Sequence, residues 1–198
     1  MTASSNDGNT GVVIENGVVK NFAFGVVLAS GATGTVQNVR AENNPGVDIE
    51  AFGNNISISG DYAFDSAFGI KVGEGSGDKV TGNWAAGDGN TGIFVEGASG
   101  VSVAGNKATN NGVGIAATGS SGLVSGNVAE SNTSGIVLNS VGSGVKSQLT
   151  ASNNRAAFNG QLGIDSAPGG STDGGGNLVQ DNGNAGQCAN IICHEVIN

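Results

Sequence analysis

A block of about 22 residues recurs along most of this chain, and that recurrence leaves few folds open. The clearest stretch runs from Asn83 to Leu138. It reads NWAAGDGNTGIFVEGASGVSVAGN, then NKATNNGVGIAATGSSGLVSGN, then NVAESNTSGIVL, with the Asn that closes one block opening the next. A Gly stands before an apolar residue at Gly25, Gly46, Gly69, Gly92, Gly114, Gly135 and Gly163, at steps of 21, 23, 23, 22, 21 and 28. A second series, Asn16, Asn38, Asp61, Asn83, Asn106, Asn127, Asn153 and Asn177, advances by 22, 23, 22, 23, 21, 26 and 24. Two registers that drift together point to one structural unit wound repeatedly.

Within each block, apolar residues alternate with polar ones. Val26, Val47, Ile70, Ile93, Ile115, Ile136 and Ile164 follow the Gly, and Leu28, Ile49, Val72, Val95, Ala117 and Leu138 come two positions later. Period two with one wet face describes a strand. Ala63, Ala85, Ala108 and Ala129 stand two residues after the Asn series, and Val36, Ile58, Val80, Val103 and Val124 precede it. These predict a second and a third inward row. Charged residues are only 12%, which disfavours helices, and 37 glycines without a three-residue period are not collagen. The pattern predicts an all-β solenoid of about eight coils. Equivalent residues then lie above one another at the ordinary strand spacing of about 4.8 Å, and the Asn series forms a hydrogen-bonded ladder.

The N-x-A-x-x-N-x-x-G-I pattern, best kept at Asn106–Ile115 and Asn127–Ile136, resembles the single-stranded right-handed parallel β-helix family, the pectate-lyase-like group of carbohydrate-binding and sugar-hydrolase repeats. The resemblance covers roughly residues 11–182. It implies a fold shared by polysaccharide lyases, glycoside hydrolases, uronate epimerases, phage tailspikes and proteins with no known activity, so it carries architecture rather than chemistry.

One domain over residues 1–198 is expected, with an N-terminal edge at 1–10, an inserted loop at 140–150 and a C-terminal cap at 177–198. The stretch Pro168–Gly176 reads as a flexible turn before the last coil. Cys188 and Cys193 predict a disulfide closing a small loop over that coil, and hence an exported protein. The opening MTASSNDGNT has neither a basic nor an apolar leader segment. Two locations therefore stand open, secreted or cell-surface with the leader missing from this sequence, and cytoplasmic.

A formal net charge of −9 with seven scattered Lys and Arg argues against nucleic-acid binding. No apolar run approaches the roughly 18 residues of a membrane span. Residues alternating outward predict one cluster of Asp48, Glu50, Lys71 and Glu96 with Phe94 beside it. A second outward row holds Val39, Tyr62, Trp84 and Lys107, with Asp65 and Asp88 in the turn between the rows. Rings that stack on pyranose faces, next to charges, suit a sugar. Asp48, Glu50, Lys71 and Glu96 are the candidate catalytic groups, for a lyase or epimerase base or a glycosidase carboxyl pair. Tyr62, Trp84, Phe94, Asp65 and Asp88 are the candidate substrate contacts. The alternative for Asp48 and Lys71 is an ordinary cross-strand ion pair.

No metal-ligand set is evident, since His194 is the only His. A calcium ion neutralising a uronate is the cofactor such chemistry would draw on. Three functions follow. One is an acidic-polysaccharide-interacting β-helix that binds and, if an enzyme, cleaves or epimerises its glycan. Another is a non-catalytic structural or adhesive solenoid that self-associates through its N-terminal coil. The last is an intracellular enzyme on a small molecule.

Overall fold

Alternating small apolar residues, punctuated by Gly and Asn corners, wind the backbone into three parallel sheets. The structure is a computed structural model that describes residues 2–3, 9–139 and 147–196. Strand pairing joins successive coils through three sheets, of nine, eight and nine strands, the last coil lacking a strand in the eight-stranded one. We name them by their inward residues. The isoleucine sheet stacks Val26, Ile49, Ile70, Ile93, Ile115, Ile136 and Ile164. The valine sheet stacks Val36, Ile58, Val80, Val103 and Val124. The alanine sheet stacks Ala41, Ala63, Ala85, Ala108, Ala129 and Ala156. All of these side chains are buried and form one continuous core. Each fully buried Ile contributes about 1.5–3 kcal/mol. The alanines sit where the section is too tight for more.

Two corrections to the predicted register concern the corners. Asn16, Asn38 and Asn153 do not belong to the buried ladder. They have φ of 55, 53 and 54°, matching Gly60, Gly82, Gly105 and Gly126 at φ of 62–66° in the other coils. Asn is the residue after Gly that best tolerates this left-handed conformation, so an Asn one position early is a turn residue. The ladder itself runs Val39, Asp61, Asn83, Asn106, Asn127, Asn154, Asn177. Val39, expected outward, fills the ladder position and is fully buried.

The second correction concerns Gly46. Ile70 pairs with Ile49 and Lys71 with Glu50, so Asp48, not Gly46, is equivalent to Gly25 and Gly69. That coil has no Gly at the corner, and a Gly-Val two residues early imitated it.

A second ladder runs parallel to the first at the opposite corner: Asn44, Ser66, Asp88, Asn111, Asn132, Asn159, Asn182. In both ladders each polar side chain accepts, through Oδ1 or Oγ, a backbone N–H from the coil before it. Each Asn amide donates twice. Asn127 Nδ2, for example, donates to Val103 O at 2.9 Å and to Asn154 Oδ1 at 3.0 Å. These bonds satisfy the polar corners that the core would otherwise strand.

Part of the inserted loop, residues 140–146, and most of the N-terminal edge at 1–10 lie outside the described residues. Strand Thr2–Ala3 pairs with Val27 and Leu28 at the start of the isoleucine sheet. The stretch at 168–176 is a turn followed by strand Ser171–Asp173, which pairs with the valine sheet rather than forming one long turn. In the last coil the chain passes from Cys188–Ala189 on the isoleucine sheet to His194–Glu195 on the alanine sheet without a valine-sheet strand. The Cys188–Cys193 disulfide closes that short cut, and Ile191 packs with both cysteines against the core.

Candidate functional site

Alternation on the alanine sheet leaves two side-chain columns facing solvent. One holds Arg40, Tyr62, Trp84 and Lys107 on four successive coils. The other holds Glu42, Phe64, Ala86 and Thr109. Tyr62 and Trp84 are 47% and 40% exposed, high for rings in a sheet. Tyr62 lies 6.1 Å from Phe64 in a stacked pair and 6.1 Å from Trp84 in a tilted one, and Phe64 meets Trp84 edge-on at 5.5 Å. Ala86 is short, so the indole leans across its column and Nε1 donates to Thr109 Oγ1 at 3.2 Å. That bond fixes the ring plane.

Cations close both ends of this strip. The Arg40 guanidinium carbon stands 5.5 Å from the Phe64 centroid, and Lys107 Nζ 5.6 Å from that of Trp84. Arg40 also donates to Glu42 Oε2 at 2.7 Å. The Arg40 hydrogen bond holds the partly buried Glu42 carboxyl below its ordinary range. Lys107 has no acidic partner among the described residues. The sequence pattern identifies Tyr62 and Trp84 but places Val39 in the outward column that Arg40 occupies, and so misses Arg40.

Around the corner, the outer face of the isoleucine sheet carries Glu50 and Lys71, 3.4 Å apart. Lys71 Nζ also lies 5.3 Å from the Phe52 ring and 6.0 Å from that of Phe68, and Phe68 stacks on Phe94 at 5.7 Å. Glu96 is exposed and pairs in register with Gly73 and Thr118, one column away from Lys71. The structure therefore brings Glu50, Lys71 and Phe94 together and sets Glu96 at the margin. Phe22 and Phe24, 58% and 51% exposed, line a shallow hollow of about 430 Å³ with Ala23, Val27 and Glu50.

Asp48 and Asp88, expected on the surface, are inside. Asp48 takes the corner position that is Gly in other coils. Its Oδ1 accepts from Asn44 Nδ2 at 2.7 Å and from Ser66 Oγ at 2.8 Å. Ser66 is a ladder residue too short to offer the carboxamide oxygen that Asn44 would otherwise bond. Asp48 supplies that oxygen from the neighbouring corner, so Asp48 and Ser66 together replace one Asn.

Asp88 is a ladder residue whose Oδ1 accepts from the Ser66 N–H at 3.1 Å. Burial pushes the Asp48 carboxyl up to about 6 and that of Asp88 to about 8, the Asp48 and Asp65 charges adding to the latter. Neither carboxyl can reach a ligand lying on the sheet, because its atoms face the core. Asp65 stays outside, on an exposed corner with φ of 58°. Among the described residues no three His, Cys, Asp or Glu side chains gather as a cation site, and no helix is long and apolar enough to cross a membrane.

Family comparison agrees with the coil geometry. The family described as "Right handed beta helix region" matches the chain twice, over residues 3–142 and over residues 65–190. No curated protein matches the chain. The parallel three-sheet coil and a family match spanning well over half the sequence lead to one conclusion: the chain belongs to the right-handed β-helix family.

Proposed function

We propose that the chain binds an acidic glycan on the outer face of the alanine sheet and acts as a recognition surface rather than a hydrolase or lyase. One observation carries this reading: three contacting rings, Tyr62, Phe64 and Trp84, are flanked in line by Arg40 and Lys107. Ring faces take the C–H faces of pyranoses, and the flanking cations take carboxylates by charge-assisted hydrogen bonds. The chain as a whole repels polyanions at a net charge of −9. Locally the balance reverses. Lys20, Arg40, Lys107 and Arg155, four of the seven Lys and Arg, stand on this one sheet, against Glu42, Glu130 and Glu195.

The same geometry disfavours catalysis. Of the carboxyls expected to work as a pair, Asp48 is buried, Glu50 is tied to Lys71 and Glu96 stands a column away. The Cys188–Cys193 disulfide supports an oxidising, exported setting.

Trp84 is the only Trp, so its fluorescence reports on the strip alone. Titration with a polyuronate is expected to shift the emission, with salt weakening the effect and a neutral glucan giving a smaller change. By calorimetry, Trp84→Ala is expected to lower affinity roughly 10-fold or more, equivalent to about 1.4 kcal/mol or more. Silent emission across acidic and neutral glycans alike overturns the proposal.

A further inference from the structure

Four buried carboxyls, those of Asp48, Asp61, Asp78 and Asp88, each keep one oxygen, Oδ2, without a hydrogen-bond partner. Asp48 already receives two donors on its other oxygen. Asp78 lies outside the ladders, in an inward valine-sheet row beside Ile56 and Val101. Asp61 and Asp88 differ, because each occupies a ladder position that is Asn in all later coils.

The Asn coils show what a ladder position requires of its second terminal atom: it must donate. Asn83 Nδ2 gives to Ile58 O at 3.0 Å and Asn106 Oδ1 at 3.1 Å. Asn111 Nδ2 gives to Ala85 O at 3.3 Å and Asn132 Oδ1 at 3.0 Å. By strand register, the same two acceptors for Asp61 are Val36 O and Asn83 Oδ1, and for Asp88 they are Ala63 O and Asn111 Oδ1. An ionised Oδ2 would set lone pairs against two acceptors in a buried corner. A carboxyl O–H donates to one of them. Meanwhile Oδ1 of each acid does what an amide oxygen does, accepting the N–H of Val39 at 2.7 Å for Asp61 and of Ser66 at 3.1 Å for Asp88.

We propose that Asp61 and Asp88 hold a proton in the folded chain and stand in for ladder amides, and that release of the Asp88 proton loosens the corner beneath the Tyr62–Phe64–Trp84 strip, so that ligand binding there falls as pH rises. Only the last step rests on the strip being a binding face.

The charged surroundings favour retention of the proton. Asp88 is faced by Asp48 from the isoleucine sheet and by Asp65 from the preceding corner. No Lys or Arg pairs with either ladder acid among the described residues. Burial raises Asp61 to about 6 and Asp88 to about 8, from the ordinary aspartate value of 3.8. The folded chain therefore binds more protons than the unfolded one above pH 3.8. The stability these carboxyls contribute is fully present below pH 3.8 and is lost as pH climbs through about 6 for Asp61 and Asp48, and through about 8 for Asp88. The corner is mechanically coupled to the strip. Ser66, held by Asp88, lies two residues from Phe64, and Asp61 O accepts the N–H of Trp84 at 2.9 Å.

The test is thermal unfolding of the full chain from pH 5 to pH 9, without glycan, for the parent, Asp88→Asn, Asp61→Asn and the exposed control Glu96→Gln. The parent midpoint should fall with pH. Asp88→Asn should raise it by about 2–6 °C at pH 8 and flatten the profile above pH 6. Asp61→Asn should flatten the limb below pH 7, and Glu96→Gln should change neither. A parent profile that is flat or rises with pH, or an Asp88→Asn midpoint below the parent's at pH 8, overturns the proton assignment. A calcium-dependent midpoint abolished by Asp88→Asn also overturns it, because the corner would then hold a cation. Polyuronate titration of Trp84 emission at pH 6 and pH 9 tests the last step. Weaker binding at pH 9 in the parent but not in Asp88→Asn supports the coupling. Equal binding at both pH values removes the coupling while leaving the proton assignment standing.

Discussion

From Asn106 onward both corner ladders are unbroken Asn, whereas before it they are mixed: Val39, Asp61 and Asn83 at one corner, Asn44, Ser66 and Asp88 at the other. The same early coils carry Tyr62, Phe64, Trp84, Phe68 and Phe94, and the later coils carry almost no surface aromatics. The contrast teaches what a ladder position demands. It needs one acceptor toward the coil before it and one donor turned inward, and Asn meets both needs alone. Every departure in the early half comes with a compensating change. Val39 removes the polar side chain altogether, Ser66 borrows an oxygen from Asp48, and Asp61 and Asp88 take up a proton.

The largest effect is expected where no compensation exists. Asn127 Oδ1 accepts from the Asn106 backbone N–H and Nδ2, and its amide serves Val103 and Asn154. Asn127→Ala leaves several buried groups unpaired at roughly 1–3 kcal/mol each before relaxation, so a net loss of about 3–5 kcal/mol is expected in urea unfolding. Asn127→Asp places the early half's device in the later half. It should cost less at pH 5 than at pH 8, bringing a buried acid to ladders that are otherwise all Asn there. A loss under about 1 kcal/mol for Asn127→Ala would mean that the later ladder is decorative, and the contrast between the halves would disappear.

A smaller effect isolates the Asp48–Ser66 exchange. Asp48→Gly removes the acceptor of Asn44 and Ser66, at about 1–2 kcal/mol. Ser66→Asn drives an amide into the Asp48 carboxyl, which already lies 2.8 Å from Ser66 Oγ, at about 1–3 kcal/mol. Together they recreate the Gly and Asn found at Gly92 and Asn111, where the pair fits. The double variant should therefore sit near the parent, with a coupling of about 2–3 kcal/mol in a double-mutant cycle. Simple additivity would show that the two sites do not share one oxygen.

These same exchanges mark how far the sequence could be followed. Period, parallel stacking, the Ala and Val rows and the pairing of Asn83 with Asn106 were legible because each follows from counting similar residues at a fixed step. The coil of Asp48 was not. Its corner Gly is absent, and Pro45-Gly46-Val47 offered a false one, so a buried acid was read as a surface catalyst. Asp88 was misplaced for a different reason: a ladder Asp and a turn Asp look alike until the second ladder is recognised. The Tyr62–Trp84 contact was legible because its offset from the true ladder is kept in two regular coils. Arg40 was lost because Asn38, a turn residue, was taken for the ladder residue beside it.

The smallest effect concerns that confusion directly. Eight equivalent corners read Asn16, Asn38, Gly60, Gly82, Gly105, Gly126, Asn153 and Gly176, all with φ between 53 and 71°. A Cβ at Gly105 would meet nothing within 4 Å, whereas one at Gly114 would come 2.7 Å from Asn132 Nδ2. Gly105 is therefore required for its backbone angle and Gly114 for space. Asn pays little for the left-handed angle and leaves the unfolded chain less freedom than Gly does. Gly105→Asn should thus change unfolding free energy by less than about 0.5 kcal/mol, while Gly105→Val should cost about 1–2 kcal/mol through its branched side chain. If Asn and Val cost the same in urea unfolding, the corner is governed by packing rather than by angle. Asn38 and Asn153 would then need a structural reason other than the one that makes them interchangeable with Gly.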